Sequence, residues 1–384
     1  MELFAAQWSA GSGWSEPLPD VDGPRTLVLV FGGSAALAAP GVADVVAAYP
    51  TSVLAGCSTA GEIQGEQVHD DTVTVSIARF RDTTLTSAAA AVGAADASRA
   101  CGEEVGRRLR ELDGELRAAF VLSDGLQVNG SEMTEGLAAE VGPGVAITGG
   151  LAGDGDRFGS TWVLVDGELR EGWVTAVGLS GPHLEVGHGS RGGWDIFGPE
   201  RRVTRAQGNV LFELDGAPAL TLYKTYLGER AEGLPATALL FPLAVRAPGA
   251  DDRDGVVRTI LAIDEEAQTM TFAGDVPEGS LAQLMRANLD RLIDGAHEAA
   301  LATAGRSGTT TPTLAIAVSC VGRRLVLGAR TEEELEVVLS ALGPGARLTG
   351  FYSYGEISPG SGACALHNQT MTLTTFRERP AGEG

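Results

Sequence analysis

Residues 27–33 read LVLVFGG and residues 56–63 read GCSTAGEI. The first stretch is an apolar run closed by glycine, and the second is a turn of small residues closed by a glycine and an acid. The same layout returns as AAFVLSDG at 118–125 with ITGGLAGDG at 147–155, and as LAIAVSCVG at 314–322 with TGFYSYGEI at 349–357. Gly33 to Gly61 and Gly125 to Gly153 are each 28 residues apart, while Gly322 to Gly355 spans 33. Recurrence of this kind marks an internal repeat. Short β-rich runs with no polar face read as strands covered on both sides, and the stretch between them as a crossover helix. The fold class expected is therefore α/β, with repeated β-α-β units forming mixed sheets covered by helices.

Details of the crossovers support this reading. Thr331 with Glu334 predicts a capping box, Leu335, Val338, Leu339 and Leu342 form one apolar stripe, and Gly343-Pro344 ends the helix. In the second crossover Ser131 is the expected cap, with Met133, Leu137 and Val141 on one face. The first crossover is read from Leu37 to Tyr49, stopped by Pro50. Two further helices are predicted, one over 97–116 and one starting at Ser280 (boxed with Gln283) and running toward Gly305. Residues 183–275 are β-rich, and Asp166-Gly167 predicts a hairpin turn. His69 to Val75 parallels His367 to Leu373, and the alternation of Val73, Val75 and Ile77 with Thr72, Thr74 and Ser76 predicts a half-exposed strand.

The 384 residues suit two or three domains, with a boundary placed near 220, giving 1–220 and 221–384. Fifty acids against 28 bases leave a net charge of -22, which repels phosphate backbones and anionic lipid. Nucleic acid and membrane are thus not expected partners. No targeting segment and no bilayer-spanning run is visible. Cys57, Cys101, Cys320 and Cys364 are scattered and fit neither a zinc site nor C-x-x-C, which agrees with a reducing, cytoplasmic setting.

Glycines around Cys57, Ser58 and Thr59 free the backbone to expose N–H groups, and Glu62 follows at a fixed place. Gly150 with Asp154, and Tyr352, Ser353 and Tyr354 with Glu356, are the corresponding groups. Should these turns share one end of their sheets, they converge where open α/β sheets bind ligands. Glu62, Asp154 and Glu356 would meet an ammonium, the amides and hydroxyls of Ser58, Thr59 and Ser353 a carboxylate, and the tyrosines would form walls. That set suits an amino acid or similar polar metabolite. The competing reading is a tight turn whose acid caps nearby amides. Cys57 with His69 as base is a further alternative, against simple packing of a small thiol. His69 and His367, equivalent in the repeat, read either as hydrogen-bonded turn residues or as haem ligands. GCSTAG is not a nucleophile elbow, no P-loop occurs, and the acids after Asp154 do not complete an EF-hand.

Taken together, LVLVFGG, GCSTAGEI and ITGGLAGDG, followed by FELDGAPALTLYKTYLG at 212–228, AVSCVGRRLVLG at 317–328 and GFYSYGEI at 350–357, resemble the FIST family, named for F-box and intracellular signal transduction proteins. The resemblance covers nearly the whole chain, as FIST N-terminal and C-terminal halves. It implies a cytoplasmic sensory module that binds a small ligand such as an amino acid, and some members resemble haem-containing gas sensors. Family members are often fused to kinase, cyclase or chemotaxis output domains. None is recognisable here, so the expected signal passes in trans to a separate kinase, cyclase or other signalling protein. No catalytic residue is implied, no cofactor is required, and haem stays the alternative.

Overall fold

The computed structural model describes residues 1–33, 40–93, 97–234, 236–249, 255–303, 310–359 and 364–379. It has the expected α/β architecture, with parallel and antiparallel strands mixed in each main sheet and helices packed outside. Thr26–Gly32 and Ala118–Ser123 are buried at every position, which is why their sequence lacks a polar face.

Three units share one plan. Each opens with a lead strand (Glu2–Ser9, Thr84–Ala91 or Leu184–Arg191). A β-α-β crossover follows, whose two strands pair in parallel: Thr26–Gly32 with Val53–Ser58, Ala118–Ser123 with Ala146–Leu151, and Thr313–Cys320 with Ala346–Ser353. A short hairpin comes next. A last strand (Val73–Arg79, Trp173–Ser180 or Met371–Glu378) then returns antiparallel between the first crossover strand and the lead strand.

The hairpins leave their own units. Glu62–Gln64 with Gln67–His69 adds to the edge of Ala346–Ser353 in unit three. Gly355–Pro359 with Cys364–His367 adds to Ala146–Leu151 in unit two. Val163–Val165 with Glu168–Arg170 adds to Val53–Ser58 in unit one, turning at Asp166-Gly167 as expected, with both residues at positive φ. The exchange closes in a circle, and residues on both sides of position 220 share sheets. Two apolar cores run through the assembly, each fed by strands of all three units.

Between Gly193 and Asn288 the third unit carries an inserted β module, with strands from Asp195–Gln207 to Leu281–Arg286 and the helix Ala219–Leu227. It has its own core of Val203, Leu211, Leu220, Tyr223, Phe272 and Leu284. Within the described residues no helix is long and apolar enough to cross a membrane.

Several local expectations are corrected. Residues 281–286 are a strand, because Ala282 and Leu284 alternate inward with period two, and Ser280 Oγ donates to the Pro277 carbonyl instead of capping. The helix is Leu289–Thr303, and Gly305 lies outside the described residues. Thr331 makes no capping box: its hydroxyl donates back to Gly328 O at 2.6 Å, and Glu334 is drawn into a buried ion pair with Arg323 at 2.9 Å. Asn129, not Ser131, caps Gly130–Val141, accepting from the amides of Ser131 and Glu132. The helix expected over 97–116 spans Ser98–Leu112, buries Val105 and Leu109, and leaves Leu112 exposed. The first crossover helix is Pro40–Ala48, and Leu37 lies outside the described residues. Val73–Arg79 is buried through Ala78, because packing covers both of its faces.

Candidate functional site

The three glycine turns do meet, through their backbones. Ala60 N donates to Tyr352 O at 2.8 Å, Tyr354 N to Leu151 O at 3.2 Å, and Gly153 N to Ser58 O at 3.0 Å. The strand ends of the three units thus form a closed ring of hydrogen bonds. Close approach demands glycine at its base: Gly149 and Gly350 sit at φ 142° and 153°, and a Cβ on either would overlap the carbonyl oxygen of Val121 or Ala317.

Strand register also corrects the alignment of the acids. Gly56, Gly149 and Gly350 face Val30, Val121 and Ala317, so they are the equivalent positions. Glu62 and Glu356 then correspond, whereas Asp154 falls one residue early and Gly155 takes the matching place. The two glutamates make the same bonds. Glu62 accepts from the hydroxyl of Thr59, and from Thr72 N at 3.0 Å and Thr72 Oγ1 at 2.8 Å. Glu356 accepts from Ser353 Oγ at 2.8 Å, Thr370 N at 3.1 Å and Thr370 Oγ1 at 2.9 Å. Each pins the residue after a left-handed turn position, Asp71 at φ 55° or Gln369 at φ 62°. In unit two the equivalent turn residue is Gly172, whose amide donates to Asp124 at 3.0 Å. Burial pushes Glu62 up to about 7 and Glu356 up to about 8, against the pull of these hydrogen bonds.

Asp154 does different work. It accepts from the Tyr354 hydroxyl, from Gly159 N at 2.8 Å and from Ser160 N at 3.0 Å. Burial raises its pKa, but these three donors outweigh that and hold it below the ordinary value. Phe158, at φ 48°, stacks on Tyr354 with ring centroids 4.7 Å apart.

Two clefts open beside the ring, both at the C-terminal ends of crossover strands. The wider, about 600 Å³, is walled by units one and three through Gly33, Thr59, Glu62, Asp70 and Arg324 and by unit two through Arg157. Arg324 crosses it, donating to Ala60 O at 2.6 Å and forking onto Asp70 at 2.7 and 2.6 Å, with its guanidinium 5.5 Å over the Tyr352 ring. This contact lowers the Asp70 pKa. The second cleft, about 350 Å³, lies between units two and three and is roofed by the inserted module. Tyr354, Leu126, Asn129 and Cys320 line its floor, and Thr259, Leu261 and Asp275 its roof. Beside Gly355, the counterpart of Gly61, the nearest side chains are Leu366, Leu151 and Asn368. Among the described residues, the Thr259 hydroxyl is buried with no hydrogen-bond partner.

The expected site residues are therefore distributed. Thr59 and Glu62 line the wide cleft, and Tyr354 lines the roofed one. Cys57, Ser58, Tyr352, Ser353 and Glu356 are buried, with Ser58 Oγ accepting from Trp162 N and the Tyr352 hydroxyl donating to Glu334 at 2.7 Å. A Cβ on Gly150 would run into Val318 and Gly355 O. Burial raises the Cys57 thiol well above its ordinary range, so thiolate is disfavoured there. His69 and His367 face Glu62 and Glu356 across their hairpins, and neither lines either cleft. His367 is lowered to about 4 by burial and then by Arg258. Sequence reasoning missed Arg323, Arg324 and the roof. The longer third crossover was the available signal: Ala317 to Gly350 spans 33 residues, against 26 for Val30 to Gly56 and 28 for Val121 to Gly149, and the helix Val321–Leu327 that carries both arginines lies within it.

Among curated proteins, the chain is 28% identical over 246 residues to an uncharacterized protein of Mycobacterium tuberculosis, covering 61% of each chain. The same identity and coverage relate it to an uncharacterized protein of Mycobacterium bovis. An uncharacterized protein of Methanocaldococcus jannaschii is 29% identical over 163 residues, 39% of this chain and 31% of that one. The match thus spans less than two thirds of these relatives' length. A solved cyanuric acid hydrolase from A. caulinodans overlaps 78% of this chain and 100% of its own at 11% identity, but a TM-score of 0.17 relates neither fold nor activity. The FIST N domain profile matches residues 26–217 and the FIST C domain profile residues 219–359. Those two matches cover most of the chain, which belongs to the FIST family, a family of sensory domains in signal transduction.

Proposed function

We propose that this chain is a non-enzymatic sensor that binds an amino acid or similar metabolite in the roofed cleft. One observation carries the reading: a cleft of about 350 Å³ between two units and a separate module, lined by the stacked Phe158 and Tyr354 rings with Asn129, Asn209 and Asp275 among its few polar side chains. Its size falls at the small end of ligand sites, and its lining is apolar with a few polar groups, as such sites are. A ligand touching floor and roof would tie the inserted module to units two and three. The bound and free states would then differ at the surface, and a separate kinase, cyclase or other signalling protein in the cytoplasm would read the difference. The wide cleft is the weaker candidate, because Arg324 already crosses it.

A thermal-shift screen of amino acids and related metabolites tests this. A ligand at 100 times its dissociation constant adds about 2.7 kcal/mol, or roughly 5–11 °C for a domain of ordinary size. Ala273→Trp places an indole in the roofed cleft. A shift in the wild type that Ala273→Trp removes is the expected result. A shift that survives Ala273→Trp refutes the site.

A further inference from the structure

The roofed cleft has a chemistry more specific than its size. Its mouth gathers three of the molecule's exposed large apolar side chains: Leu126 at 39%, Phe158 at 50% and Leu261 at 44%. Apolar side chains are usually scattered on a surface, and three around one opening call for an apolar body to cover them. Phe158 and Tyr354 are already stacked at 4.7 Å with an interplanar angle of 15°, which offers a flat wall.

Among the described residues of the lining, Asp275 is the single ionised side chain. Its carboxylate takes a long bond from Asn129 Nδ2 at 3.5 Å. Arg258 is buried, adjoins the lining at Gly274 and interacts electrostatically with Asp275. Its Nε donates to the Asp275 carbonyl at 2.9 Å and its Nη1 to the Leu366 carbonyl at 3.0 Å, and it is not part of the lining. Asn129 and Asn209 add neutral polar groups, and the chain's net charge of -22 draws cations and repels anions.

We infer that the ligand of this cleft is a small amine with a planar apolar body, an aralkylamine or the cationic end of an aromatic amino acid. The ring lies against Phe158, Leu126 and Leu261, and the ammonium meets the Asp275 carboxylate. This inference rests on the sensor reading above and gives it a ligand class. It excludes phosphorylated metabolites and dicarboxylates, which would face Asp275 with like charge.

Isothermal titration of the full chain with tryptamine tests it, against indole (body alone), ethylamine (head alone) and indole-3-propionate (charge reversed). Tryptamine is expected to bind at least about tenfold more tightly than each comparator. Asp275→Asn should remove that preference over indole, and Phe158→Ala should weaken tryptamine and indole together. Both residues are partly exposed, so folding is checked by circular dichroism. Indole-3-propionate binding as tightly as tryptamine overturns the inference, as does tryptamine binding that Ala273→Trp leaves unchanged. A different metabolite whose thermal shift Ala273→Trp abolishes, with no tryptamine binding, overturns the ligand class while the sensor reading stands. Absence of binding in both experiments removes both.

Discussion

Replacing Glu356 by glutamine should flatten the loss of stability with rising pH. The carboxyl is fully buried and accepts three hydrogen bonds, and burial moves its pKa from 4.5 to about 8. A group whose folded pKa lies above its unfolded value holds its proton more tightly in the native state. Its contribution is therefore present in acid and is lost as pH rises from the unfolded value through the folded one. Between about pH 6 and about pH 8 the unfolded chain has released this proton while the native state largely keeps it, so the loss amounts to about 2 kcal/mol. Glutamine has the shape of the protonated acid. Its amide can donate to Ser353 Oγ while its oxygen accepts from Thr370. The test is urea unfolding of wild type and Glu356→Gln at the two pH values, followed by tryptophan fluorescence. Glu62, raised to about 7, adds a smaller slope to both proteins and cancels in the comparison. Equal slopes in the two proteins would refute the reasoning and mean that Glu356 is ionised at both pH values.

The Arg323–Glu334 pair is wholly buried and also bonds to Gly192 O, Leu292 O, Ser319 and Tyr352, so Arg323→Met should cost about 3–5 kcal/mol, and Arg323→Met with Glu334→Met should recover much of it in urea melts. Gly350→Ala should abolish soluble expression, because its φ of 153° and the Ala317 carbonyl leave no room for a Cβ, whereas Gly65→Ala, with open space at φ 64°, should cost only about 1 kcal/mol by thermal melting. Native-state thiol labelling should find Cys57 slower than the partly exposed Cys364, and the order should vanish in denaturant.

Much of the scaffold was legible because burial writes itself into composition. LVLVFGG and LAIAVSCVG could be strands covered on both sides only if helices and neighbouring sheets enclosed them, and they are. The hairpin at Asp166-Gly167 was equally plain, since only certain residues tolerate two successive left-handed positions. What local pattern could not carry was the destination of each hairpin. Glu62–Gln64 pairs with a strand nearly three hundred residues away, and nothing in EIQ names that partner. The acids misled for a related reason. Asp154 repeats the Gly-acid text, yet one residue of register sends it to Gly159, Ser160 and Tyr354 instead of the place of Glu62. The roofed cleft was illegible because Thr259 and Asp275 come from a module outside the repeat, brought over Tyr354 only by the tertiary fold.

The circular exchange of hairpins has a consequence for any attempt to divide the chain. Cut near residue 220, the N-terminal piece would keep the hairpin 62–69 without its acceptor strand, and Ala146–Leu151 would lose the Gly355–Pro359 strand that covers its edge. The C-terminal piece would hold the matching open edges. Unpaired edges of this kind recruit other strands. Each fragment expressed alone should aggregate, while the two expressed together should reassemble, so the chain is suited to split-protein complementation with the break placed in the inserted module.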